Sequence, residues 1–232
     1  MKKTTFILVI ITILSLSLRA QNAPTGEKEE LKVEVIRDRL MVDVFHSFWF
    51  GMPSQVNSMK FDPGFNVSIL WDFKNNPKKP ISFGLGLGTT YYTLFSDAIL
   101  KYDKPSGLMR FNVLPMDTMA KLNRTTYINC NIPLEFRYRH QNGFKVTVGI
   151  RVGITAEISH RYKGLNPDGS GLSLNTKDFD IKSKMKFNFD TYFRMGWKYV
   201  SFYYCYQVTS LFEKGKGPKI MPMSIGITWN VF

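Results

Sequence analysis

Cysteine and histidine are scarce in this sequence, which has two cysteines and three histidines in 232 residues. Cys130 and Cys205 fall in segments that we predict to be separate strands, on opposite faces. A disulfide between them would therefore need a geometry that the strands do not provide. No Cys or His spacing matches a zinc site or a c-type haem motif. The sequence predicts no disulfide, no metal centre and no cofactor.

Long apolar runs are missing after residue 21, and no later segment has the roughly 20 apolar residues that a membrane-spanning helix requires. An earlier apolar run, residues 6–18, follows Lys2 and Lys3 and is closed by Ala20. This order is typical of a secretory signal peptide that is cleaved after Ala20. A retained anchor is the alternative, but the run is short for one. We expect a signal peptide at 1–20, a periplasmic N-terminal segment at 21–39 and a membrane domain at 40–232.

Acidic residues are in the minority, 18 against 31 lysines and arginines, and the formal net charge is +13. A basic surface often indicates a nucleic-acid partner, but an exported protein rarely meets nucleic acid. We therefore expect the positive charge to contact outer-membrane lipid, including the phosphates of lipopolysaccharide. The alternative is that the lysines serve only solubility during export.

Alternation of residue types is the main positive signal. Aromatic residues make up 15% of the chain and lie in segments where large apolar residues alternate with small or polar ones. Phe65, Val67 and Ile69 share one face of such a segment, and Asn66 and Ser68 share the other. A period of two is typical of half-buried strands. The eight alternating segments are about 40–50, 65–74, 81–95, 125–139, 144–158, 184–196, 199–211 and 220–232.

The connections between these segments alternate in length. Three are short and contain Asn, Gly or Pro, which favour tight turns: 75–80, 140–143 and 196–199. Four are longer: 51–62, 96–124, 159–183 and 212–219. Outer-membrane barrels have short periplasmic turns and long extracellular loops in this order.

Side-chain volume decides which face is buried. In a soluble eight-stranded barrel of the lipocalin type, the apolar face would point inward. An eight-stranded barrel is only wide enough for side chains to fill it, and the apolar faces carry too many large residues to fit. The sequence therefore predicts an all-β protein: an eight-stranded antiparallel transmembrane up-and-down β-barrel in the cell outer membrane, with its apolar face toward lipid.

The opposite face suits a narrow lumen, because glycines such as Gly84 and Gly149 leave room for tyrosines such as Tyr92 and Tyr192. It also carries charges of both signs, which we expect to pair inside because a buried unpaired charge is costly. An ion path is the alternative to this structural role. The predicted lumen charge network consists of Asp72, Glu135, Arg137, Arg139, Arg151, Glu157, Asp190 and Arg194.

The connection 96–124 contains a segment that is unusually apolar for a surface loop. Exposed apolar patches often mark partner surfaces, and this segment is therefore a candidate partner loop. The alternative is a strand extension that folds back on the barrel rim. The candidate residues are Leu108, Met109, Phe111, Val113 and Leu114.

Residues 131–139 read Asn-Ile-Pro-Leu-Glu-Phe-Arg-Tyr-Arg and precede a tight turn and the glycine-punctuated segment 148–153. They resemble the IPL-x-x-x-Y strand of the PorT-like outer-membrane β-barrel family of Bacteroidota. Residues 206–212 are similar to the seventh strand of that family, with Val208 where the pattern has Gly and Ser210 where it has Asn.

The resemblance covers about residues 40–232, and the terminal Phe232 matches the aromatic end of many outer-membrane proteins. It implies an outer-membrane barrel, and the family is named after a protein tied to secretion across that membrane. We expect a non-enzymatic structural or accessory component of an envelope or secretion assembly, with proteins of that assembly as partners. One alternative is a surface adhesin or ligand-binding barrel that acts through its long loops.

An outer-membrane lipid-modifying enzyme is the remaining alternative. A lipid A deacylase or acyltransferase needs a Ser/His or Asp/His arrangement near the rim. Ser159 and His160 stand at the start of a long connection, and His46 lies near one end of the first strand. Such adjacency arises easily by chance, and we predict no catalytic residue.

Overall fold

The computed structural model describes residues 39–58, 61–73, 80–115, 120–167, 170–179, 181 and 183–231. The predicted signal peptide at 1–20 and residues 21–38 of the predicted N-terminal segment lie outside this part of the chain. Within it, no helix is long and apolar enough to cross a membrane.

The alternating segments form strands, and the described residues contain eleven of them. They are β1 (Leu40–Phe50), β2 (Pro63–Phe73), β3 (Ile81–Phe95), β4 (Ala98–Asp103), β5 (Leu108–Val113), β6 (Ala120–Arg139), β7 (Phe144–Leu165), β8 (Ser173–Asp178), β9 (Phe187–Trp197), β10 (Val200–Gln207) and β11 (Met221–Asn230).

Eight of these strands close into an antiparallel barrel. β1 pairs with β2 on one side and with β11 on the other, so that the first and last strands of the chain meet. The sheet continues through β3 to β6 in one direction and through β10 and β9 to β7 in the other, and the β6–β7 ladder closes it. The predicted fold class is confirmed.

The apolar faces of the barrel strands point outward. Along β7, for example, Val148 is 54% exposed, whereas Arg151 is 0% exposed. Apolar residues outside and polar residues inside are the reverse of a soluble barrel and typical of a transmembrane one. On β7 this outward apolar band extends from Phe144 to Ile154, and the strand continues beyond it.

Two glycines show how the narrow lumen holds large side chains. A Cβ atom at Gly149 would overlap the ring of Tyr192 on the neighbouring strand. A Cβ atom at Gly84 would lie only 3.0 Å from the guanidinium carbon of Arg137. Because glycine has no side chain, these two positions leave the space that Tyr192 and Arg137 occupy.

The two ends of the barrel differ. At the short-turn end, residues 140–143 join β6 to β7, and Lys198 and Tyr199 join β9 to β10. Gly143 and Lys198 have φ angles of 96° and 47°, in the left-handed region that tight turns use. Residues 74–79, which include most of the predicted turn at 75–80, lie outside the described residues.

At the opposite, long-loop end, β6 and β7 extend past the apolar band. β8 pairs with the last part of β7, from His160 to Leu165. We call this projecting part of β6 and β7, together with β8, the β6–β8 extension. Nearby, β4 and β5 form a separate two-stranded hairpin.

A β-bulge changes the phase of β7 just beyond the band. Asn129 of β6 is opposite Thr155, but the preceding Ile128 is opposite Glu157, so that Ala156 is an extra residue. A bulge of one residue reverses the faces of the residues that follow. Glu157 consequently lies on the outer face with Ile128. The prediction that Glu157 belongs to the lumen network is wrong.

Candidate functional site

Asp43 of β1 is the centre of an ion network in the lumen. Its fully buried carboxylate accepts two hydrogen bonds from Arg194, from Nε to Oδ1 at 3.1 Å and from Nη2 to Oδ2 at 2.8 Å. Nη2 of Arg151 lies 3.4 Å from Oδ2. The Asn66 amide and the Thr228 hydroxyl also donate to it, at 2.7 and 2.6 Å. One carboxylate therefore connects β1 with β2, β7, β9 and β11.

Glu135 of β6 continues the network toward the short-turn end. It accepts hydrogen bonds from Nη1 of Arg194 at 2.6 Å and from Nε of Arg137 at 2.5 Å. Arg137 also donates through Nη1 to Asp72 at 2.5 Å. Arg194 thus lies between Asp43 and Glu135, and Arg137 lies between Glu135 and Asp72. Acidic and basic groups alternate, which compensates the cost of burying each charge.

Two tyrosines pack against the arginines of the network. The guanidinium carbon of Arg151 lies 4.3 Å from the ring centre of Tyr192 and 5.5 Å from that of Tyr203. That of Arg194 lies 4.7 and 5.5 Å from the same rings. The Tyr192 hydroxyl also donates to Glu135 at 2.7 Å. Cation–π contacts and hydrogen bonds together fill the space around the buried charges.

The structure brings seven of the eight predicted network residues to the lumen side of the wall. Arg139 lies near the short-turn end, with Nη2 3.5 Å from Asp72. Asp190 is directly opposite Arg151 on β9 and is fully buried, and its oxygens have no hydrogen-bond partner in the described part of the chain. Asp43, the residue with the most partners, was not predicted.

The β4–β5 hairpin covers the long-loop end of the lumen. Leu100 of β4 and Met109 of β5 are buried in one apolar cluster with the lumen residue Tyr92 and with Phe212. The backbone N–H of Met109 donates to the carbonyl of Lys216 at 2.8 Å, which ties the hairpin to the loop before β11. The hairpin and this loop therefore form a cap on the lumen.

This position corrects the interpretation of the apolar segment as a partner loop. Met109 is 2% exposed, and Leu108, Phe111 and Leu114 are half-buried, so that only Val113 of the five is exposed. The segment is apolar because it packs on the barrel contents. The alternative, a strand extension that folds back on the rim, describes the structure better.

The residues considered for catalysis do not form a dyad. Ser159 and His160 are consecutive on a strand and point to opposite faces. Nδ1 of His160 instead lies 2.9 Å from the Thr125 hydroxyl, and burial lowers the pKa of His160 to about 4. His46 accepts a hydrogen bond from the Asp62 N–H at 3.1 Å. Among the described residues, no group of three or more His, Cys, Asp or Glu is placed to bind a metal ion.

Comparisons with known proteins give a fold-level likeness. No family model matches the sequence, and no curated protein matches it. The chain is similar to the crystal structure of Ail, the attachment invasion locus protein of Yersinia pestis, with a TM-score of 0.40 and 11% identity over 82% of this chain and 95% of that one. The structure of Ail in complex with the heparin analogue sucrose octasulfate gives a TM-score of 0.37 and 10% identity over 82% and 96%.

The side chains of the barrel fill its lumen and stabilise the fold. Buried ion pairs cross it in the middle of the barrel, aromatic side chains pack above them, and the hairpin lies over the long-loop end. Barrels of this size are normally filled by their own side chains. The surfaces that remain available for binding are the outer wall and the parts that project beyond it.

Proposed function

We propose that this protein is a non-enzymatic outer-membrane barrel that acts as an accessory component of an envelope or secretion assembly. The outward apolar band supports a location in lipid, and an even number of strands with an N-terminal signal sequence supports the outer membrane. The filled and capped lumen supports a role that is neither transport nor catalysis. Such a protein acts through contacts that its outer surfaces make.

The β6–β8 extension is the observation that carries this proposal. Leu172 and Phe179 flank β8 and are 68% and 57% exposed, although both lie beyond the apolar band. Exposed apolar side chains outside the membrane mark surfaces for protein partners. In the described sheet, β8 also pairs with β7 alone, so its other edge is available for strand addition.

The resemblance of residues 131–139 to the PorT-like family supports the secretion-linked form of the proposal. The proposal therefore includes membership of the PorT-like family. The motif residues have a structural use here: Pro133 and Glu135 face the lumen, and Leu134 and Phe136 face outward.

Affinity capture from native membranes tests the accessory role. A tagged Leu172→Ser/Phe179→Ser variant should lose the envelope proteins that co-purify with the wild type, while it still fractionates with the outer membrane. Val113→Ser, which removes another exposed apolar side chain outside the band, is the matched control and should retain them. An unchanged set of co-purifying proteins in the double variant contradicts the proposal.

A surface adhesin or ligand-binding barrel is the second candidate, favoured by the exposure of nearly every residue of β8. The adhesin alternative differs from the accessory role in the location of the partner, which lies outside the cell rather than in the envelope. Under this alternative, the double variant keeps its membrane partners and loses binding of the cells to an external surface or ligand.

A further inference from the structure

Three cations form a row on the outer face of the β6–β8 extension. Arg124 of β6 is directly opposite Arg161 of β7, and Arg161 is directly opposite Lys177 of β8. Residues that are opposite in antiparallel strands project from the same face and are close neighbours. On β7, the residues next to Arg161 in sequence, His160 and Tyr162, point to the buried side.

This row has no countercharge in the described part of the chain. Like charges directly opposite each other destabilise a sheet, yet none of the three makes an ion pair there. Nε of Arg124 is buried without a hydrogen-bond partner. Glu157, an outward acidic residue between the row and the apolar band, forms no ion pair with it. An anion bound against the row would relieve this repulsion.

A depression of about 710 Å³ lies on the lipid-facing wall on the same side of the barrel. The row of lining residues nearest the cations runs across the strands from Thr89 to Cys130 to Ile154, and Cys130 is directly opposite each of the other two. Thr89 and Cys130 are smaller than the surrounding Val67, Ile132 and Ile154, so the wall is recessed there. The lining is almost entirely apolar and therefore suits an acyl chain.

The spacing of the two features matches one amphiphilic molecule. Arg124 and Cys130 are six positions apart on β6, which is about 20 Å along an extended strand and roughly 15 Å along the membrane normal for a tilt of about 40°. Adjacent strands therefore present a row of cations at the level of the lipid head groups and an apolar recess at the depth of the acyl chains.

We propose that this wall binds a phosphorylated, acylated glycolipid of the outer leaflet, of the lipid A type. Arg124, Arg161 and Lys177 contact its phosphate, and an acyl chain occupies the recess at Thr89 and Cys130. Arginine forks suit phosphate because they donate two parallel hydrogen bonds. The inference rests on the proposed outer-membrane location, since that leaflet supplies such a lipid.

Lipid binding by the folded protein in detergent tests the site. The probes are diphosphorylated lipid A, the same lipid without phosphates, and inorganic phosphate. The variants are Arg124→Gln/Arg161→Gln for the cation row and Cys130→Phe for the recess. Lys104→Gln/Lys214→Gln is the control, because it removes the same charge from exposed loops at the same end of the barrel. Heat-modifiable migration verifies that each variant is folded.

We expect the Arg124→Gln/Arg161→Gln variant to bind diphosphorylated lipid A at least about tenfold more weakly than the wild type and the lysine control. Cys130→Phe should weaken binding of both lipids. Arg124→Lys/Arg161→Lys keeps the charge but removes the guanidinium forks, and it should still weaken binding severalfold. It serves as the test if the glutamine variant fails to fold, and wild-type affinity in it then overturns the inference. Wild-type affinity in the folded glutamine variant overturns the inference.

The remaining outcomes distinguish a lipid site from a free-phosphate site and from a general effect of charge. Inorganic phosphate that competes at the same concentration as the lipid overturns the acyl part of the site. Equal weakening in the lysine control assigns the effect to net charge and overturns the site as well. Fractionation of the cells tests the proposed function separately. Absence of the wild-type protein from the outer membrane would contradict the proposed function. If the protein is in the outer membrane but the folded glutamine variant binds lipid A as the wild type does, this inference alone is contradicted.

Discussion

Asp43 and Arg194 form a two-pronged ion pair across the lumen, with Nε of Arg194 3.1 Å from Oδ1 and Nη2 2.8 Å from Oδ2. Their strands, β1 and β9, are separated in the wall by β11 and β10. The pair therefore links parts of the barrel that are not hydrogen-bonded to each other through the backbone. Its planar geometry fixes direction as well as distance.

Asp43→Asn should destabilise the barrel strongly. The substitution keeps the volume but leaves Arg151 and Arg194 buried near an uncharged acceptor. We expect the free energy of unfolding to fall by about 3–5 kcal/mol, the cost of removing one partner from a buried pair. Urea titration of the protein in lipid vesicles, followed by heat-modifiable migration, measures it.

Asp103→Asn provides the comparison for that experiment. Asp103 forms an ion pair with Arg110 at 3.6 Å on the hairpin, where both side chains are partly exposed. Exposed pairs contribute less than about 1 kcal/mol. Equal effects of the two substitutions would contradict the central role of Asp43.

The contrast between Asp43 and its neighbours shows why the sequence did not indicate it. Strand β1 carries Val42 and Val44 outward but also Met41 and Phe45 inward. With apolar residues on both faces, period two does not distinguish lumen from lipid. On β2, and on β7 as far as the bulge, one face is plainly apolar, and there the predicted faces agree with the structure. Partners across the lumen depend on barrel closure, which no local pattern contains.

Ile150 and Arg151 should respond differently to substitution because they face lipid and lumen. Ile150→Arg places a charge in the apolar band and should lower stability by about 2–4 kcal/mol. Arg151→Ile removes the cation directly opposite the buried Asp190, together with the contact to Asp43, and should also lower assembly into the heat-modifiable form. A second substitution then distinguishes the effect of Ile150→Arg from that of Arg151→Ile.

Asp190→Asn should restore much of the loss caused by Arg151→Ile and none of that caused by Ile150→Arg. Without Arg151, the buried carboxylate of Asp190 has no cation opposite it, and neutralisation relieves that cost, whereas a charge on the lipid-facing side has no such partner. Glu157→Gln is the control and should rescue neither, because the bulge at Ala156 turns Glu157 to the outer face. Rescue of Arg151→Ile by Glu157→Gln would place Glu157 in the lumen and refute the bulge.

That bulge also marks a limit of sequence reasoning. Ile154 and Ile158 have the same parity, and strict alternation puts both on one face. In the structure Ile154 is 53% exposed and Ile158 is 1% exposed. One inserted residue causes the difference, and Ala156 has no feature that identifies it as an insertion. Every face assigned beyond it on β7 is consequently reversed.

Removal of the hairpin should expose the upper lumen without creating a pore. Cys205 is buried in the same apolar cluster as Met109 and should react slowly with a maleimide in a Cys130→Ser background. Replacement of residues 99–112 by a short Gly-Ser linker should make it reactive. Planar bilayers should show no large steady conductance for either protein, because the ion network below remains.

Two results would contradict that arrangement. Equal maleimide reactivity of Cys205 with and without the hairpin would mean that the hairpin is not a cap. Reproducible large openings of the unmodified protein would mean that the lumen is not filled. The Cys130→Ser substitution itself should leave heat-modifiable migration unchanged, since Cys130 lies on the outer wall and forms no disulfide.

Acid should loosen the long-loop end through His160, which lies beyond the apolar band. Burial holds its pKa at about 4, below the ordinary 6.5, so that the neutral ring is favoured in the folded protein. The corresponding stabilisation, about 3 kcal/mol, is present above pH 6.5 and is lost as the pH falls toward 4. Asp178 attracts the protonated ring more strongly than Lys101 of the hairpin repels it, but the cost of burying the charge outweighs both.

Hydrogen exchange of the hairpin residues 98–113, corrected for the intrinsic pH dependence of exchange, measures this loosening. Because the stabilisation is lost over that interval, the exchange rate should rise between about pH 7 and about pH 4.5. His160→Gln removes the titrating ring and should abolish the rise. His46→Gln removes a histidine at a different site and should retain it. A rise that persists in His160→Gln would assign the acid response to another group.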